Sequence, residues 1–67
     1  MDKYEWAAAH RGAIDLLEIL YAGRVRVVAD WGNPDHRFLI EEGLAAAGGD
    51  DLVWTELGYQ CLMNLYR

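Results

Sequence analysis

Cys61 is the only cysteine in a chain of 67 residues, so no internal disulfide can staple the fold. A chain of this size buries only about 60 % of the surface it exposes when unfolded, so its core is small. The apolar residues must therefore converge on one core, and a single domain over residues 1–67 is expected. Their share, 54 %, is too high for a disordered chain. The start, Met1-Asp2-Lys3-Tyr4-Glu5-Trp6, lacks the basic and then apolar pattern of a signal peptide. No run approaches the roughly 18 apolar residues of a membrane span. The expectation is a soluble cytosolic mini-domain without a membrane partner.

Hydrophobic periodicity gives an α+β chain. Trp6, Ala9, Ala13, Leu16, Leu17 and Leu20 recur at three- and four-residue steps, which predicts one long helix over 3–21. Gly12 weakens its middle and Gly23 supplies its stop. Arg24–Ala29 alternates and reads as a short strand with Val25, Val27 and Ala29 on one face. Residues 30–35 are dense in turn formers. Asn33 or Asp35 can cap a short helix that begins near Pro34 and runs to Glu42. Gly43 then takes a left-handed cap, with Leu44 returning to Leu39 in a Schellman ending. Leu44–Ala47 and Leu52–Trp54 flank Gly48-Gly49-Asp50-Asp51 and predict a β-hairpin, although the alanine run also suits a longer helix. Thr55 reads as the N-cap of a last helix over about 56–66, with Leu57, Cys61, Leu62 and Leu65 on its buried stripe.

The charge is uneven. Residues 1–29 carry four acids against four bases. Residues 30–56 carry Asp30, Asp35, Glu41, Glu42, Asp50, Asp51 and Glu56 against Arg37 alone, and the whole chain has a net charge of −5. A solvated acidic face keeps a small domain soluble. The same carboxylates, gathered, would attract a basic partner and speed its encounter.

Catalytic and metal constellations are thin. His10, His36 and Cys61 share no ligand-pair spacing, so no metal site is expected. His10, one turn after Trp6, reads as a packing residue, and His36 as a helix-surface or boundary residue. Cys61 falls on an apolar stripe, where a thiol packs as a small hydrophobe. Gly48-Gly49 lacks the following Lys-Ser or Lys-Thr of a phosphate loop. The expectation is a non-enzyme without a cofactor. Trp6 and Trp54 fall at core-facing positions. Trp31, in its polar turn, either folds back as a core plug or stays exposed as an interface anchor.

Leu39-Ile40-Glu41-Glu42-Gly43-Leu44 resembles the end of a winged-helix recognition helix and its exit into the wing. Leu52-Val53-Trp54-Thr55-Glu56-Leu57-Gly58 resembles the last wing strand running into a terminal helix. Leu16–Gly23 is similar to the first helix of that fold, and the likeness covers about two thirds of the chain. Only 19 residues separate Gly23 from Gly43, so one helix of a full helix-turn-helix is lost or reduced to a turn. The resemblance implies a small winged-helix-like domain, but duplex binding depends on cations that neutralise phosphates, and here the recognition helix and wing are acidic.

In size, acidity and single-domain form the chain is also similar to small phage-encoded anti-CRISPR proteins that act as DNA mimics. That likeness implies an inhibitor in the bacterial host cytoplasm, a monomer or weak dimer. It would occupy the DNA site of a basic effector complex without contacting nucleic acid itself. The charge pattern, and not that likeness, supplies the expected contact residues: Asp30, Asp35, Glu41, Glu42, Asp50, Asp51 and Glu56, with Trp31 or Phe38 as apolar anchor. Two other classes stay open. One is a winged-helix regulator that dimerises and reads DNA through Arg11, Arg24 and Arg26. The other is a phage assembly protein or antitoxin-like partner that oligomerises through its apolar stripes.

Overall fold

The stretch predicted as one helix over 3–21 is two. In the computed structural model, which describes residues 2–66, helix α1 spans Lys3–Ala9 and helix α2 spans Arg11–Ala22. Asp2 caps α1 by accepting the Glu5 N–H at 2.8 Å. The break falls at His10, which leaves helical geometry at φ −122° and ψ 35°. Two contacts across space hold it there. The His10 ring stacks on Phe38, with centroids 4.1 Å apart and planes 11° from parallel, and Trp6 packs on both. At the other end of α1, Lys3 Nζ donates to the Asn64 carbonyl at 2.8 Å. Most of the predicted stripe holds, with Trp6 and Leu16 packed against the core. Ala9 is exposed, while Ile14, outside the predicted stripe, is buried with Ala13, Leu17 and Leu20. Gly23, at φ +68°, ends α2 as expected.

Residues 24–29 do not form a full strand. They run beside the hairpin through one bridge, Val28 to Asp51, flanked by Ala29 N–H to Asp50 O at 2.9 Å and Leu52 N–H to Val27 O at 2.8 Å. Val27 and Ala29 pack on the core, but Val25 is exposed.

Helix α3, Pro34–Glu41, starts where Asn33 accepts the Asp35 N–H at 2.9 Å, so Asn33 and not Asp35 is the cap. Its exit is the predicted Schellman motif. Leu44 N–H reaches Leu39 O at 2.8 Å, Gly43 N–H reaches Ile40 O at 3.1 Å, and Gly43 holds φ +75°. His36 is not a surface residue. It is only 7 % exposed, and its Nδ1 accepts the Asp30 N–H at 3.1 Å, which ties the preceding turn to α3.

The alanine run is strand, not helix. β1, Ala45–Gly48, pairs antiparallel with β2, Asp51–Trp54, in the register Ala45↔Trp54 to Gly48↔Asp51. The two-residue turn carries a positive φ only at Gly49, the pattern of a type II′ hairpin. Helix α4, Glu56–Leu65, is capped by Thr55, whose Oγ1 accepts the Gly58 N–H at 3.1 Å and donates to the Gly43 carbonyl at 2.6 Å. One hydroxyl thus ties the end of α3 to the start of α4. Of the predicted stripe, Leu62 is buried and Cys61 and Leu65 pack against the core, but Leu57 is 52 % exposed and Gly58 is buried in its place.

The product is an α+β fold of four helices and a two-stranded antiparallel sheet. One core cluster joins α2, α3, the hairpin and α4, with Leu17, Leu39 and Leu62 fully buried. The radius of gyration, 11.2 Å, matches the ~11 Å expected of a compact chain of this length. Among the described residues no helix is long and apolar enough to cross a membrane.

Candidate interaction surface

The seven carboxylates of residues 30–56 have different fates. Asp51 Oδ1 is held by Arg26 Nε at 2.6 Å, the only ion pair among the described residues. Asp35 is half-buried, and its carboxylate rests over Gly12 in the first turn of α2, where the helix dipole favours a negative charge. Asp30 accepts the Gly32 N–H at 2.9 Å and shapes the turn. The carboxylates of Asp30, Glu41, Glu42, Asp50 and Glu56 have no cation within ion-pair distance among the described residues.

These five fall into two groups. Asp30 and Asp50 flank the Ala29–Asp50 backbone bond at the tip of the hairpin. Glu41, Glu42 and Glu56 lie within two residues of the Thr55–Gly43 hydrogen bond at its base. The length of a four-residue strand, about 10 Å, separates the groups. The carboxylates thus gather in two groups along the hairpin, and Asp35 belongs to neither.

Helix position divides them further. Asp35 and Glu56 occupy first turns, where carboxylates suit the dipole. Glu41 and Glu42 end α3, which has no basic residue in its last turn, so both work against the dipole.

The two predicted anchors differ. Trp31 does not fold back as a core plug: it is 55 % exposed. It lines a groove of about 370 Å³ with Arg26, Val28, Ala47 and Asp50. Arg37 donates to its carbonyl at 2.7 Å, so a cation borders this end of the acidic surface. Phe38 is half-buried between His10 and Trp6 and belongs to the core margin.

Of the three arginines invoked for DNA, Arg24 and Arg26 line one groove, and Arg11 lies apart from them. Arg11 and Arg24 bracket α2, a helix of about 18 Å, and Arg26 is committed to Asp51.

Two features escaped the sequence. Trp54 is 41 % exposed and not a core residue, and it forms an aromatic cluster with Tyr21 and Tyr59 at centroid separations of 5.4–6.2 Å. Its position as the last residue of a strand, beyond the buried Leu52, is the only local signal. The second is the Tyr66 hydroxyl, which donates to Glu18 Oε1. That bond, desolvation and the nearby charges of Glu18 and Asp15 raise the phenol above its ordinary range.

Burial raises the Cys61 thiol, so it is a poor nucleophile at neutral pH. Among the described residues no three His, Cys, Asp or Glu side chains are placed to hold a metal ion. Comparison with protein-family models, curated proteins and solved structures finds no match.

Proposed function

We propose that this chain is a non-enzymatic acidic inhibitor, phage- or mobile-element-encoded and of the anti-CRISPR kind. It binds a basic DNA-binding effector in the bacterial cytoplasm and blocks its DNA site by charge mimicry. The carrying observation is Glu41 with Glu42: two exposed carboxylates at the end of a helix, against its dipole, with no neutralising cation among the described residues. The helix dipole disfavours both there, and violations of a local rule concentrate at functional sites. Glu56 extends the group, and Asp30 with Asp50 forms a second one about a strand length away. Trp31, exposed beside the second group, supplies the apolar anchor that charge alone lacks.

The architecture is read as a reduced winged helix, with α3 in the place of the recognition helix and the hairpin as wing. The Schellman exit at Gly43 and the Thr55 cap support that reading. A wing and recognition helix that present carboxylates where DNA-binding winged helices present cations would sit in a basic groove in place of a phosphate backbone.

The test is affinity capture from bacterial lysate on the immobilised chain. The captured protein is released by added duplex DNA and by salt. Glu41→Lys with Glu42→Lys and Glu56→Lys abolishes capture, and Asp30→Lys with Asp50→Lys weakens it. Capture that survives both sets of reversals, or that duplex DNA does not displace, overturns the reading. A shift of labelled duplex by the chain itself would favour a DNA-binding regulator instead.

A further inference from the structure

The exposed aromatic cluster lies beside a groove lined by two arginines. Trp54 from the end of β2 meets Tyr21 from the end of α2 edge-on, at 5.4 Å and 71°, and Tyr59 from the first turns of α4 packs at 5.4 Å from Tyr21. Three elements therefore fix the rings. Trp54 also walls a groove of about 360 Å³ whose lining includes Arg24, Arg26, Asp51 and Val53. Arg26 is already held by Asp51, while Arg24 has no ion pair among the described residues. The lining is thus locally cationic, with two arginines against one aspartate, on a chain of net charge −5.

We infer that this groove binds a nucleobase with its phosphate: a base stacks on Trp54 and Arg24 holds the phosphate. Every base has a π-face, so stacking on fixed aromatic side chains tolerates any sequence. A guanidinium forks two hydrogen bonds onto a phosphate, which a fixed pair of acceptors rewards. The cationic lining disfavours the other ligand of an aromatic face, a lysine or arginine side chain. A duplex keeps its base faces stacked inside and offers Trp54 none, so the ligand is a single strand or a free nucleotide. The inference does not rest on the acidic groups, and its failure leaves charge mimicry standing.

The probe is dye-labelled oligothymidylate, followed by fluorescence anisotropy at physiological salt. The chain binds it, and Trp54→Ala weakens binding roughly five- to 150-fold, the range for losing the stacking of one base. Trp54→Phe restores most of it. Arg24→Ala, at an exposed position, also weakens binding and flattens the log–log salt dependence by about 0.7, the share of one phosphate on a single strand. Unlabelled thymidine monophosphate that competes on a par with the oligomer identifies a free nucleotide as ligand. Competition by the oligomer alone identifies a single strand. No anisotropy change, equal competition by annealed duplex, or affinity unmoved by both Trp54→Ala and Arg24→Ala overturns the inference. Neither variant touches the capture that added duplex DNA reverses.

Discussion

Among the described glycines, Gly58 has the least room for a side chain. A Cβ there would lie 2.1 Å from the Leu44 carbonyl oxygen and 3.1 Å from Leu17 Cδ1. The carbonyl is backbone and cannot rotate away. Gly58→Ala is therefore expected to cost stability, at the upper end of the about 1–3 kcal/mol of an overpacked site. The roughly 1 kcal/mol that alanine gains over glycine in a helix does not offset this. Gly12→Ala offers the contrast. Its Cβ would lie 2.5 Å from Asp35 Oδ2, the far end of a side chain that can swing aside. Urea denaturation of both variants should place Gly12→Ala near wild type and Gly58→Ala well below it. Equal midpoints would mean that α4 can move off the Leu44 carbonyl.

Tyr66 gives a residue-scale prediction in pH. Its hydroxyl donates to Glu18, and the bond raises the phenol above the ordinary tyrosine range. A raised folded value means that the bond's contribution is fully present below the ordinary tyrosine range. It is lost as pH climbs through the raised value. The phenolate absorbance lost in Tyr66→Phe should be that of a tyrosine titrating above an ordinary one. Titration of that missing component at or below the ordinary range would mean that the bond does not persist in solution.

At the scale of elements, Thr55 is the joint of the fold, since its hydroxyl caps α4 and also donates to the carbonyl of Gly43 behind α3. Thr55→Ala should cost about 1–2 kcal/mol. Thr55→Ser, which keeps both bonds, should recover most of it in the same thermal melts. A serine variant as weak as the alanine one would assign the loss to the threonine methyl. Asn33, Gly43 and Thr55 were legible because caps are local chemistry, written within about six residues of the chain. Where packing across space decides, local pattern failed. The His10 break is accompanied by a ring stack on Phe38, far along the sequence. Val25 and Leu57 follow apolar spacing onto faces that nothing covers. His36 looked like a boundary residue because its partner is a backbone N–H supplied by the folded turn. The acidic candidates were legible as residues but not as a surface, because only the hairpin's length parts Asp30 and Asp50 from Glu41, Glu42 and Glu56.

For the whole molecule the question is what the unpaired charge costs. A chain of this length has on the order of 3–10 kcal/mol of stability. A net charge of −5 with one ion pair among the described residues adds self-repulsion to that small reserve. Salt screens such repulsion over about 8 Å at physiological ionic strength, so added sodium chloride should raise the melting temperature. Glu41 and Glu42 carry a further penalty at the end of α3, about 0.3–1 kcal/mol for each charge set against the dipole. Reversing them removes that penalty and adds favourable cations. Glu41→Lys with Glu42→Lys should therefore raise the urea midpoint of the isolated chain while it abolishes capture of the basic partner. The opposite signs separate function from folding. A variant that loses capture because it unfolds would lose both. A lowered midpoint would show that the two carboxylates hold the fold together, and the argument that they are kept for a partner would fall with it.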